Sequence, residues 1–320
     1  EDRSERETSR GTNKTRSGVG PGTHADFGSR QGDLDFGLAA SGGFLDARET
    51  LSDLQLRFFD ARLKGDETAL ADEPPVRVFV MGENRWRSFE DWPPQDASTQ
   101  DWHLGAEGTL TPQVPGGGTP GGGTPGGGSV EYDYDPLHPV PTLGGQTLLA
   151  PVYGAGPMDQ RPIESRPDVL VFTSEPLEKD LTILGPVHAT LFAASSAPDT
   201  DFVVRLTDVH PDGRSIILTD GIVRASARES YSASQTITPT EPSLIEPGRA
   251  YEYSVDMWAT AVALVAGHRL RVHVTSSCSP RWDRNPNTGG SGFDSGDATV
   301  AQQRVLFGAE RPSRVTITTL

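Results

Sequence analysis

From residue 76 to the C-terminus, apolar and polar positions alternate in short runs, and turn residues rather than helical stretches separate the runs. Val76, Val78 and Val80 alternate with Arg77 and Phe79, which predicts a strand with the three valines on one face. Further strand-like runs follow at 169–174, Leu181–Ser195, 202–210, 215–227, 251–258, 269–276 and 315–320. Pro211-Asp212-Gly213 separates two of them as a hairpin turn, since glycine supplies the positive φ such turns need. Many strands with hardly any helix between them predict a mainly β fold, an antiparallel β-sandwich of jelly-roll type.

Ahead of residue 76 the pattern changes. Leu51, Leu54, Phe58 and Leu63 recur at helical spacing, Asp46 and Glu49 read as a capping box, and Lys64-Gly65 closes the helix. Residues 66–75 form a polar connector ending in Pro74-Pro75. Residues 1–17 carry no aliphatic side chain and cannot offset the entropy of ordering, which predicts a disordered arm. A Pro-Gly-Gly-Gly-Thr unit starts at Pro115, repeats at Pro120 and nearly repeats at Pro125. Strand-like residues flank this tract, so 115–129 is expected to be an exposed loop tip rather than an interdomain linker. The expected organisation is therefore an arm (1–17), a histidine loop and helix (18–65), a connector (66–75) and a β-sandwich (76–320).

Composition narrows the partners. The chain has 28 basic and 44 acidic residues, a net charge of −16, which repels phosphate backbones and anionic membranes and argues against both as partners. Its 36 glycines and 26 prolines suit a loop-rich, strand-rich architecture. The lone cysteine, Cys278, excludes an internal disulfide or a cysteine metal cluster and reads as a buried thiol at a strand end. No run of eighteen apolar residues predicts a spanning helix, and a cytoplasmic location is the expectation.

The candidate chemistry lies near the start. His24 sits in the Gly/Pro-rich segment 18–28, the kind of loop in which hydrolases place a general base. Such a base needs a nucleophile and an orienting acid. No serine stands in a Gly-x-Ser-x-Gly elbow, Gly28-Ser29-Arg30-Gln31-Gly32 has the wrong spacing, and Asp2 is the sole aspartate upstream of His24. The chain is accordingly expected to be the C-terminal part of a larger enzyme. From spacing alone, a loop histidine next to Asp26 making only a local hydrogen bond is the favoured reading.

Other polar groups read as structural. His210 and His268 border strands, where a polar side chain can bond to backbone. Asp199, Asp201, Asp208, Asp212 and Asp220 lack the loop of a calcium site and are expected in a solvated turn. Asp283-Arg284-Asn285 is expected to brace a loop. Trp86, Trp92, Trp102, Trp258 and Trp282 are the residues on which a binding module for peptide or carbohydrate, the alternative to an enzyme, would build an aromatic groove. No cofactor and no metal site is read from the chain.

The order of several motifs carries more than any of them alone. Gly20-Pro21-Gly22-Thr23-His24, the helix end 58–65, Val78-Phe79-Val80-Met81-Gly82 with Trp86 and Trp92-Pro93, Asp159-Gln160-Arg161-Pro162, Asp208-Val209-His210-Pro211-Asp212-Gly213 and Asp283-Arg284-Asn285-Pro286 follow one another. In this order the chain resembles the C-terminal half of the cocaine esterase and X-prolyl dipeptidyl-peptidase family of serine hydrolases, though Gly22 stands where that family usually has tryptophan. The resemblance implies a three-part enzyme: an α/β-hydrolase core with a Ser-Asp-His triad, a helical cap, and a C-terminal jelly roll of galactose-binding-like type. It implies that residues 18–65 are the last fragment of the core, that His24 is the triad base, and that core and cap lie outside this chain. The implied substrate is a small ester, amide or peptide.

Overall fold

The valine-rich segments fold into two stacked sheets in the computed structural model, which describes residues 16–24, 26–115, 127–148, 152–232, 237–290 and 298–320. The chain opens with β1 (Ser17–Val19), then a two-residue-strand hairpin, β2 (Arg30–Gln31) and β3 (Leu34–Asp35). Helix α1 (Leu51–Leu63) follows, then β4 (Val76–Val80), β5 (Arg85–Phe89), β6 (Ser98–Leu104), β7 (Leu110–Thr111) and β8 (Gly128–Tyr134). A single helical turn, α2 (Arg161–Glu164), precedes β9 (Leu170–Thr173), β10 (Leu181–Ser195), β11 (Asp201–Val209) and β12 (Ser215–Arg224). The chain closes with β13 (Tyr251–Leu264), β14 (Arg269–Thr275), β15 (Ala301–Phe307) and β16 (Arg314–Thr319).

One sheet runs β7-β6-β16-β10-β15-β8, with β13 also paired to β10, and the other runs β12-β11-β14-β9. All of these pairings are antiparallel. The inward faces meet in one core in which Leu191, Tyr253, Val305 and Ile317 of the larger sheet pack with Phe202, Leu206, Leu270 and Val272 of the smaller. Alternation explains the choice of face: in β11 Phe202, Val204 and Leu206 point inward, as a period of two demands.

β4 is a strand with its three valines on one face, as the alternation predicts, but it lies outside the two sheets of the sandwich. All five of its residues are buried, and it belongs to a separate small sheet in which it pairs parallel with β1 and antiparallel with β5. Val76, Val78 and Val80 pack on Leu184 and Ala261 of the sandwich, while Phe79 packs on the opposite side with Phe36 and Trp86. Both faces are thus covered. Met81 then bridges to β13, donating to Ala261 O (3.0 Å) and accepting from Ala263 N (2.8 Å).

Three local readings are corrected. The capping box of α1 is Thr50 with Asp53, not Asp46 with Glu49: the Thr50 hydroxyl accepts from Asp53 N (3.1 Å) and the Asp53 carboxylate from Thr50 N (3.1 Å). Asp46 and Ala47 have positive φ (51° and 56°), which ends any helix there. Gly128 and Ser129, placed in the loop tip by the sequence, are strand residues paired with Phe307 and Leu306. The rest of that tract, 116–126, and all but the last residues of the N-terminal arm lie outside the described residues.

The aspartate set is not a solvated turn. Asp199, Asp201, Asp208 and Asp220 are buried, and Asp212 alone of the five is exposed, in the hairpin with Arg214. Each buried carboxylate is paired: Asn285 Nδ2 donates to both Asp199 (3.0 Å) and Asp201 (2.9 Å), Arg224 to Asp201, Arg281 to Asp220, and His268 meets Asp208. Burial requires such pairing, which composition cannot reveal. Asn285 and Arg284, which donates to Pro136 O at 3.1 Å, hold their loop as a brace.

Candidate active site

The β1–β4 pairing decides where His24 goes. Ser17, Gly18 and Val19 register with Val76, Arg77 and Val78, so the loop leaving β1 emerges over the end of β4. Its path is set by close contacts. A Cβ at Gly20 would lie 3.0 Å from the Trp86 ring, and one at Gly22 3.0 Å from the Phe27 ring. Thr23 N donates to Asp26 O (2.9 Å), which closes a turn with His24 near its apex. The buried Gln31 amide clamps this turn from behind, donating to Asp26 O and Gly28 O, both at 3.1 Å.

His24 is exposed and borders a cleft of about 470 Å³. The other walls come from distant parts of the chain: Phe79 and Met81 beside β4, Ile217 and Thr219 of β12, and Ala259 and Ala261 of β13. The lining is mostly apolar, with Thr219 and Thr260 as buried hydroxyls. The Thr219 hydroxyl is already spent on Met257 O.

The β13 wall is shaped by a bulge. Register passes from Pro186↔Ala259 to His188↔Asp256, leaving Met257 and Trp258 opposite Val187. Trp258 takes a positive φ (65°), and its N–H donates to the Asp256 carboxylate (2.8 Å). On the opposite rim, Gly145 and Gly156 exchange two backbone hydrogen bonds (2.7 and 2.9 Å). Behind Gly145 lies the buried Arg281–Asp220 pair, which fixes that rim against β12.

The Asp26 carboxylate accepts from Gly28 N at 2.7 Å. Among the described residues, no serine hydroxyl or carboxylate is bonded to the His24 ring. The tryptophans form no common platform. Trp102 is buried in the core, Trp86 donates to Ala39 O (2.8 Å) and packs on Phe79, Trp92 packs on Phe89, and Trp282 lies under Arg281. Only Trp258 of the five is largely exposed.

The fold is thus a β-sandwich of two antiparallel sheets that walls a mostly apolar cleft, with a loop-borne histidine at its edge. The chain belongs to the family of X-Pro dipeptidyl-peptidase C-terminal non-catalytic domains, whose model matches residues 68–316. It is 42% identical over 302 residues to the cocaine esterase of Rhodococcus sp. (strain MB1 Bresler), covering 93% of this chain and 50% of that one. Among solved structures it is similar to an aminopeptidase from a marine sediment Thaumarchaeota archaeon (TM-score 0.74, 30% identity, 91% of this chain and 46% of that one). It is also similar to an α-amino acid ester hydrolase (TM-score 0.74, 28% identity, 92% and 47%). The chain thus spans about half the length of these relatives. The relatives are hydrolases, and the chain is part of a hydrolase family.

Proposed function

We propose that this chain is the C-terminal part of a serine hydrolase that transfers the acyl group of a small ester or amide to water. His24 is the general base in this reading, and the serine nucleophile and its orienting aspartate come from an α/β-hydrolase core outside the chain. The observation that carries it is the exposed His24 imidazole at the mouth of a cleft walled by the sandwich. Imidazole is suited to the role because it exchanges a proton near neutral pH, taking one from the serine and returning it to the leaving group. The apolar cleft supplies a water-poor surface for the acyl or leaving group.

Helix α1 supports the same reading. None of its residues is buried, and Leu56, Phe58, Phe59 and Leu63 are exposed on it. Large apolar side chains left exposed on one helix fit a surface that packs on the core sheet. The test is an assembled enzyme joining this chain to a core of the family. There His24→Ala is expected to lower kcat/KM on an activated ester by several orders of magnitude, as loss of a central triad member does. Full activity in a folded His24→Ala enzyme would remove His24 from the mechanism.

A further inference from the structure

At the far end of the smaller sheet, three donors converge that the hydrolase reading does not use. Asp208 lies near the end of β11, His210 is two residues on and therefore on the same face, and His268 lies just ahead of β14. The β11–β14 register pairs Asp208 with Leu270 and Val209 with Arg269, which sets His268 across from His210. This is the face that carries Leu206, Leu270 and Val272 of the core further along the strands. At the rim of the sandwich, positions whose parity is that of core residues hold two imidazoles and a carboxylate instead.

The geometry is tight. His268 Nδ1 lies 2.8 and 3.0 Å from the two Asp208 oxygens, and His210 Nε2 lies 3.3 Å from Asp208 Oδ2. One ligand atom from each residue lies within 4.8 Å of the others, and the two rings pack with centroids 4.5 Å apart and planes inclined by 45°. Ligands about 2.1 Å from a tetrahedral zinc stand roughly 3.4 Å apart, so shifts of an ångström or less bring these donors into place. The backbone is already fixed: His210 N donates to Arg214 O (2.8 Å), and His268 O accepts from Leu177 N (2.7 Å). Asp208 is 6% exposed while both histidines are half-buried, which leaves an approach from solvent.

We infer that Asp208, His210 and His268 form a binding site for a zinc-class divalent cation, with three protein ligands and an open fourth position. Two imidazole nitrogens and one carboxylate oxygen select a borderline ion over calcium or magnesium, which prefer all-oxygen sets. Ligation uses the lone pair of His268 Nδ1, so its ring proton moves to Nε2 and the carboxylate turns from the imidazole to the metal. Asp212 does not compete, because Arg214 holds its carboxylate at 2.8 Å. The ion ties the β11–β12 hairpin to the turn ahead of β14 and takes no part in acyl transfer.

The test is zinc titration of the full, tag-free, chelator-treated chain against a chromophoric competitor at pH 7.5, with cobalt as a spectroscopic probe. One equivalent of zinc and a visible cobalt band of four-coordinate type are expected. His210→Ala and His268→Ala should each weaken zinc binding on the order of a hundredfold or more. His138→Ala, which removes the exposed partner of Asp135, should leave binding intact. Circular dichroism of the metal-free variants checks that each is folded, and His210→Gln serves as second variant at the hairpin. Absence of stoichiometric binding in the wild type, or binding unchanged in folded His210 and His268 variants, overturns the site.

Discussion

A Cβ placed on Gly82 would stand 2.1 Å from the carbonyl oxygen of Ala263, so the turn after β4 and the end of β13 touch backbone to backbone. Gly82 also has φ +83°, a conformation that costs other residues strain. The two effects act together at the junction that positions Met81 in the cleft wall. Gly82→Ala is expected to destabilise the chain by roughly 2–4 kcal/mol, read as a lower urea midpoint. An unchanged midpoint would show that the small sheet and the sandwich are not rigidly joined.

Asn285 holds two buried carboxylates apart from each other with one amide. Burial raises the pKa of Asp201, and the hydrogen bonds from Arg224 and Asn285 work against that rise. Asn285→Ala removes two donors at once and is expected to cost about 2–4 kcal/mol in chemical denaturation. Pairing it with Asp199→Asn should recover part of the loss, since the neutral amide no longer presents a buried charge. Strict additivity of the two substitutions would refute the coupling.

Glu164, in α2, gives the fold a pH dependence. Burial would raise its carboxylate, but hydrogen bonds from His273, Ser215 and Arg271 prevail and hold its pKa at about 2. The folded pKa is below the unfolded value of 4.5, so this group's stabilisation is present above pH 4.5 and is lost as pH falls toward 2. Its magnitude at neutral pH is on the order of 3 kcal/mol. Wild type and Glu164→Gln should therefore differ clearly in urea midpoint at pH 7 and converge near pH 2.5. A constant gap across that range would mean that packing, not charge, makes the difference.

The chain by itself should not react with a serine-directed phosphonate, and it should be essentially inactive toward activated esters. An imidazole without nucleophile and acid supplies little of a triad's rate enhancement. Intact-mass spectrometry after incubation with the probe reads this directly. Stoichiometric labelling would reveal a nucleophile within the chain.

The sandwich was legible where alternation is apolar and long, as in β10, whose pattern-derived span and observed span are both Leu181–Ser195. It was not legible in β6 and β15, where polar residues fill strand positions. Gln303 of β15 is fully buried because its amide donates to the Thr200 hydroxyl (2.7 Å), a tertiary event with no trace in periodicity. β8 alternates Val130, Tyr132 and Tyr134 with Glu131 and Asp133, yet its first residues merge with the glycine tract. The capping box failed for a related reason, since Asp46 and Thr50 both fit the motif and only the positive φ at Asp46 separates them.

For the site, one residue was legible and its surroundings were not. His24 stood out through the loop around it and the ordered motifs behind it. Ile217, Thr219, Ala259 and Ala261 carry no chemical signature, and only the stacking of β12 and β13 beside β4 makes them walls. His210 and His268 each read as structural beside a strand, and the β11–β14 pairing that brings them together across 58 residues leaves no mark along the chain.

The parallel contact of β1 with β4 joins segments about sixty residues apart, with α1 in the intervening stretch. Closing a loop of that length costs entropy that the pairing must repay. β4 is the central strand of the small sheet, with β1 on one edge and β5 on the other. Residues 66–75 are part of the covalent tie between the histidine arm and the sandwich, so a cleavage there would leave the histidine loop held to β4 by the β1 pairing and side-chain packing alone.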